Sequence, residues 1–214
     1  MQLGLGISPT WTYGVAVPAF TPASISGLQL WLDASDGSTL FTDSAGTTPA
    51  TADGDPVGCW KDKSGNAKNA TQSDGTLKAK LTVAYKSGKN VVYCDGTDIM
   101  DIVSFPTMSA ATIFCAFRPT YLSGIWDRYI SWRLGNNTDD ASTGASFIPL
   151  LRTINTQYVC SFVSGGPRGS SAWSDQTWGL WMARNDGTAF SAQKNADSFN
   201  RILLARSIVV PKFR

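Results

Sequence analysis

Apolar and polar residues alternate in short bursts along this chain, with Gly, Asp and Pro between the bursts. Residues 27–35, GLQLWLDAS, set Leu28, Leu30 and Leu32 against Gln29, Trp31 and Asp33. A period of two predicts a strand. The following DGSTLFTDSAGTTPATADGDPVG is dense in Gly, Asp, Thr and Pro, which predicts a long loop with short strand fragments. VGCWKDK returns to strand. LTVAYKSGKNVVYCDG predicts two strands around a Ser-Gly turn, with an Asp-Gly turn after them. TIFCAFRP is apolar, β-branched and aromatic, the composition of a buried central strand. RYISWRLG, SFIPLLR and QYVCSFVSGG predict further strands, the first two parted by the polar loop NNTDDASTG. QTWGLWMARNDGTAF predicts a hairpin with Asn185, Asp186 and Gly187 at its tip. The closing RILLARSIVVPKFR predicts one or two more strands. No segment carries the 3.6-residue period of an amphipathic helix. About ten to twelve short strands between turns predict an all-β chain, folded as a two-sheet antiparallel sandwich.

The first 26 residues break this pattern. They carry no charged side chain, the first being Asp33, and Pro9, Pro18 and Pro22 favour extended chain. Solvated tails are normally charged. Residues 1–26 are therefore expected to form an arm that lies on something, either a partner subunit or its own domain, with simple disorder as the remaining reading. Trp11, Tyr13 and Phe20 are the side chains expected to dock it.

Composition narrows the chemistry. The 214 residues hold no His, and every one of the 16 acids is Asp, because the chain has no Glu. A Ser-His-Asp or Cys-His nucleophile cannot be assembled, nor a zinc site with His ligands. The net charge of +2 argues against a polyanionic partner for the whole chain, so no nucleic acid is expected. No run approaches the about 18 apolar residues that span a membrane. The start lacks the basic and apolar regions of a secretory signal, so synthesis in the cytosol is expected. Cys59, Cys94, Cys115 and Cys160 show no C-x-x-C spacing. They are expected as small buried hydrophobes, with a disulfide the alternative.

Three segments, in chain order LQLWLDASDGSTLF, WKDKSGNAKNATQ and VVYCDGTDIM, resemble the laminin-G-like, concanavalin A-like jelly-roll domains common in bacteriophage and bacterial surface proteins. The family's pattern is a LWLDASD strand, a W-x-D-x-SGN-x-x-x-AT loop and a V-x-F-DG-x-D strand and turn. The resemblance covers residues 27–119 closely and 120–190 weakly, through the hairpin at Trp181 to Thr188. Ala67 stands where the family often has Gly, Asn69 where it often has His, and Cys94 where an aromatic is usual. The C-terminal stretch is short for closing such a sandwich, which a neighbouring chain would then complete. The resemblance implies a concanavalin A-like jelly roll over residues 27–214 behind the extended arm.

The loop CWKDKSGNAKNATQ admits three readings: a structural turn, a calcium loop or a sugar contact. As a turn, Asp62 would accept from backbone N–H groups, and Gly65 would supply a positive φ that Asn66 also tolerates. Calcium wants about six to eight oxygens, and Asp53, Asp55, Asp95 and Asp98 are the candidate ligands, with turn chemistry as the competing explanation. For carbohydrate, an aromatic beside Asp or Asn is needed; Trp173, Trp178, Trp126 and Asp175 are the candidates, and the outer loops 135–145 and 164–176 are the expected place of contact. Trp132 also sits among polar neighbours, whereas Trp31, Trp60 and Trp181 are expected in the core. Enzymes of this broad fold cleave glucans with paired Glu residues, which are absent here. The Asp pairs 33/36, 95/98, 98/101 and 139/140 read as turn residues instead. No catalytic residue and no resident cofactor is expected, calcium apart. The four cations and no acid of the last 14 residues fit either an acidic capsid surface or a solvated edge strand.

The resemblance thus implies a non-enzymatic virion protein of a bacteriophage, made in the host cytoplasm. It would be a capsid decoration or a fibre or tail component, assembled with capsid or tail subunits as a homo-oligomer, a trimer by analogy. Host surface glycans are the expected weak ligand. A carbohydrate-binding lectin module is the alternative and a polysaccharide-degrading enzyme the third reading.

Overall fold

The computed structural model describes residues 20–103, 106, 110–118, 125–131, 150–154, 157–161, 168–172, 178–185 and 190–195, with side chains past 118 described at 178–180, 182 and 184. They form an all-β protein. Fourteen strands are joined only by antiparallel pairings, and the described residues contain no α-helix, only single 3₁₀ turns at Pro22–Ser24, Gly37–Thr39 and Gly75–Leu77.

The first sheet is built from two-residue strands: β1 (Leu40–Phe41), β3 (Cys59–Trp60), β4 (Ala70–Thr71) and β7 (Asp101–Ile102), in the order β1-β3-β4-β7. The second holds β2 (Pro56–Val57), β5 (Ala79–Lys86) and β6 (Lys89–Tyr93), ordered β2-β5-β6. The third is β8 (Ala111–Phe117), β13 (Gly179–Asn185) and β14 (Phe190–Asn195), ordered β14-β13-β8. A four-stranded meander of β9 (Ile125–Ser131), β10 (Leu150–Ile154), β11 (Gln157–Ser161) and β12 (Arg168–Ala172) completes them, ordered β12-β11-β10-β9.

One apolar cluster ties the first three sheets. Val57, Trp60, Leu81, Val92, Met100 and Phe117 are fully or nearly fully buried together, and each large side chain removed from water contributes about 2 kcal/mol. Trp60 has no exposed surface, and its indole Nε1–H finds no acceptor among the described residues. A buried donor left unpaired costs about 1–3 kcal/mol, so among the described residues it is packing that holds the ring. Cys59 and Cys115 are buried as expected, and Cys94 is half-buried. Burial holds the Cys59 thiol above its ordinary pKa. Gly58, between β2 and β3, leaves no room for a side chain: a Cβ there would meet the Thr42 carbonyl oxygen at 2.5 Å.

Several sequence expectations hold. The hairpin β5–β6 turns at Ser87 and Gly88, with φ of 49° and 72°, the left-handed pair that matches strand twist. The β13–β14 hairpin forms in register from Leu180–Asn195 to Asn185–Phe190, though its tip, Asp186 and Gly187, lies outside the described residues. Others need correction. Residues 28–33 join no ladder, because the 62–66 loop occupies backbone groups at 28, 29 and 31 that a strand partner would take. TIFCAF is buried over only part of its length: Cys115, Ala116 and Phe117 are buried, Phe114 is 47% exposed, and among the described residues β8 ends its sheet order. Segment 164–176 is not all loop, since RGSSA forms β12 against β11 in full register; cross-strand pairing overrides the weak strand preference of Gly and Ser. Residues 1–19, 135–145 and 201–214, with the arm, loop and strands expected there, lie outside the described residues.

Candidate functional site

Two polar constellations stand out. The first is the WKDKSGN loop. Asp62 follows β3, and its carboxylate gathers four donors. Oδ1 accepts from Trp31 N and Ser64 N, both at 2.8 Å, while Oδ2 accepts from Ser64 Oγ at 2.6 Å and Lys68 N at 3.1 Å. Asp62 N donates to Asn69 Oδ1 at 3.0 Å. Asn66 Nδ2 donates to the Leu28 and Gln29 carbonyls, at 2.8 and 3.2 Å, and Lys63 N donates to Trp31 O. The loop is a clasp that holds segment 28–31 through side chains. Gly65 has the expected positive φ of 90°, but the second left-handed residue is Ala67, at 54°, not Asn66. Ala67 is the position where the resembling family often has Gly.

Lys63 closes the clasp on its other side. Its Nζ lies 3.1 Å from Asp33 Oδ2 and 2.7 Å from Asp36 Oδ2, and 4.4 Å from the centre of the Trp31 ring. Asp33 is wholly buried and also accepts from Ser35 N and Oγ. The Lys63 hydrogen bond holds the Asp36 carboxyl below its ordinary pKa. Burial pulls the Lys63 ammonium down, yet Asp36 and Asp33 outweigh it and keep its pKa raised. Asp33 and Asp36 accept from Ser35 N and Ser38 N, the turn role expected of them, and the ion pair with Lys63 comes in addition.

The calcium candidates are similarly occupied. Asp53 Oδ1 accepts from Val83 N at 2.9 Å, and Asp55 Oδ2 accepts from Thr51 N and Ala52 N at 2.8 Å. Asp95 Oδ1 accepts from Thr97 N and Oγ1, and Asp98 Oδ2 accepts from Asp95 N at 2.7 Å. Backbone donors hold the Asp55 and Asp95 pKa values down, while burial pushes Asp98 up. Among the described residues no three His, Cys, Asp or Glu side chains converge on a point where a metal could sit.

The second constellation lies at the far end of the β5–β6 hairpin. Tyr85, 47% exposed, meets half-buried Trp178 with ring centroids 6.3 Å apart and planes tilted by 58°. The Arg118 guanidinium carbon lies 5.6 Å from the Tyr85 ring centre, and its Nη1 donates to the Tyr85 hydroxyl. Lys86 and Lys89 stand opposite each other across the turn, both exposed. Of the carbohydrate candidates, Trp178 is the one whose side chain is described, and it belongs to this cluster. Trp126 lies within β9 rather than in a loop, and Trp173 and Asp175 fall outside the described residues. Among the docking candidates Phe20 is exposed, while Trp11 and Tyr13 are outside the described residues. Sequence reasoning missed Tyr85, Arg118 and Lys63. For Tyr85 a signal existed: a Tyr-Lys and a Lys flanking a two-residue turn.

Compared with known protein families, curated proteins and solved structures, the chain matches none.

Proposed function

We propose that the chain is a non-enzymatic structural protein of a bacteriophage particle, displayed on its surface as a capsid decoration or as a fibre or tail component. In this reading the body is a two-sheet, concanavalin A-like sandwich, and the charge-free arm anchors it to a capsid or tail subunit. The observation that carries the reading is the clasp: the residues that bear the family resemblance are spent on architecture. Asp62, Ser64 and Asn66 hold backbone 28–31, and Asp33 and Asp36 share Lys63. Leu32, Trp60, Val92 and Met100, drawn from all three resembling segments, share one core. Loops whose acids serve as turn acceptors stiffen a display module, and among the described residues the acids at 33, 36, 53, 55, 62, 95 and 98 are taken up in that way. The absence of Glu and His supports the same reading.

A lectin module for host recognition is the second reading, favoured by the exposed Tyr85 and its contact with Trp178. The two are compatible, since a displayed sandwich can touch host glycans weakly.

Immunogold electron microscopy of purified particles tests the display reading. Regular labelling at one position on the particle is expected, and deletion of residues 1–26 should abolish it. Particles without the protein would overturn the reading; particles still labelled after the deletion would move the anchor elsewhere. Light scattering of the purified chain checks the homotrimer, and no reducing ends should be released from laminarin or capsule.

A further inference from the structure

We infer that the two turns DGS at Asp36–Ser38 and DGT at Asp74–Thr76 are chemical locks: the fold holds their Asp–Gly bonds in a shape from which isoaspartate cannot form. The inference does not rest on the display reading, although a particle that no cell repairs would gain from it.

Asp–Gly is open to this rearrangement because glycine carries no side chain to screen its amide nitrogen. The Gly nitrogen attacks the Asp Cγ. An N–Cγ bond forms, and a carboxyl oxygen leaves as water, taking up the amide proton. Water then reopens the cyclic imide at either carbonyl. Opening at the backbone carbonyl leaves isoaspartate, with one extra methylene in the main chain. The sequence has such bonds at 36–37, 53–54, 74–75, 95–96 and 186–187. Gly37 and Gly75 are not held at positive φ, and a Cβ at Gly75 would meet nothing within 4 Å. Their nitrogens are bare, so protection has to come from the Asp side of the bond.

The backbone supplies the first part. In an L-residue the ring closes only when Cβ and the next peptide nitrogen eclipse about the Cα–C bond, at a ψ of about −120°. Asp36 has ψ of 91° and Asp74 has ψ of 117°. Each Asp–Gly peptide would have to swing by well over a right angle. The 3₁₀ turns that follow oppose the swing. Asp36 O accepts from Thr39 N at 3.0 Å and from Thr39 Oγ1 at 2.8 Å, and Thr39 is buried. Asp74 O accepts from Leu77 N at 3.1 Å.

The carboxylate supplies the second part. Asp36 Oδ1 accepts from Ser38 N at 3.2 Å and Ser38 Oγ at 2.6 Å, and Asp74 Oδ1 accepts from Thr76 N at 2.9 Å and Thr76 Oγ1 at 2.7 Å. Both bonds must break before Cγ can turn to the glycine nitrogen. Hydrogen bonds to the charged form also keep it charged. The Asp36 carboxyl is held below its ordinary pKa, with Lys63 the leading cause and Ser38 next, and the Asp74 carboxyl is held down chiefly by the Thr76 hydroxyl. An ionised carboxylate is a poor target for an amide nitrogen. Two other Asp–Gly bonds carry one part each. Gly54 N is taken by Leu81 O at 2.8 Å, and Asp95 Oδ1 accepts from Thr97 N and Oγ1.

Peptide mapping by mass spectrometry after long incubation in heavy-oxygen water at neutral pH tests the locks. Every passage through the imide leaves one heavy oxygen in the Asp or isoaspartate that results. In the folded full chain, Asp36 and Asp74 should take up at least about tenfold less than in guanidinium chloride. Ser38→Ala should raise uptake at Asp36 about fivefold and leave Asp74 at the parent's level, and Thr76→Ala should do the reverse. Each site thus controls for unfolding caused by the variant at the other. Equal uptake in the folded and unfolded chain, a rise shared by both sites in each variant, or no rise in either would overturn the inference.

Discussion

The clasp around Asp62 and the tip of the β5–β6 hairpin are both polar loops beside an aromatic, yet they treat charge in opposite ways. In the clasp each charge meets a donor or a counter-ion: Asp62 accepts four hydrogen bonds, and Lys63 sits between two carboxylates. At the tip, two lysines face each other and Tyr85 stays half in water. The clasp lowers the free energy of the fold. At the tip the facing lysines repel slightly, and among the described residues no acid pairs with them. The difference teaches that two polar loops beside an aromatic can spend their side chains differently, one on the chain's own backbone and the other on water.

Acid should break the comparison most severely. Asp36, Asp43, Asp55, Asp74 and Asp95 all have pKa values held down, Asp43 to about 2, chiefly by backbone or side-chain hydrogen bonds, with Lys63 the leading cause at Asp36. A carboxylate whose folded pKa lies below its unfolded value, about 3.9 for Asp, adds stability above that value. This stability is lost as pH falls through the folded pKa. Asp98, raised by burial, runs the other way but is one against five. Circular dichroism should therefore show an acid transition between about pH 4 and pH 2, while the cations at the tip keep their charge.

Asp62→Ala should follow. It strips an acceptor from three backbone N–H groups and one hydroxyl, and a loss of about 4 kcal/mol is expected in urea unfolding. Lys63→Met leaves buried Asp33 without its cation and should cost about 3 kcal/mol, with chemical denaturation again the check. A variant that unfolds at the parent's midpoint would show that the clasp is ornamental.

Two substitutions should sharpen the contrast from the stabilising side. Ala67→Gly removes the left-handed penalty of a side chain at φ 54° and should raise stability by about 0.5–1 kcal/mol net of the glycine's entropy. Lys89→Gln removes the facing charge at the tip and should add about 0.3 kcal/mol in low salt, vanishing in high salt. Thermal melts at two ionic strengths read both.

Much of the fold was legible in the sequence, for reasons particular to each segment. The Ser87–Gly88 turn was legible because two apolar runs flank a pair that accepts positive φ. Trp60 was legible as core because it ends an apolar pair before a polar loop. Segment 28–33 misled because alternation reports which residues face inward, not what satisfies the backbone, and here that was done by Asp62, Ser64 and Asn66 from more than thirty residues away. RGSSA was opaque because its partner, β11, supplies the order that its own composition lacks. The candidate site was legible only at Trp178. Tyr85 and Arg118 are 33 residues apart, and no local pattern announces that a hairpin tip and a strand end will meet.

The clasp also bears on how the chain comes off the ribosome. Segment 28–33 emerges first and has no ladder to join. Its partners, Asp62 and Asn66, are translated 31 and 38 residues later. Closing so wide a loop carries an entropic cost that a local hairpin escapes. The nascent β5–β6 hairpin can therefore zip on its own, whereas the stretch LQLWLD stays exposed until SGN arrives to fasten it. An Asp62 variant would lengthen that vulnerable interval, and its first symptom in the cell would be aggregation during synthesis.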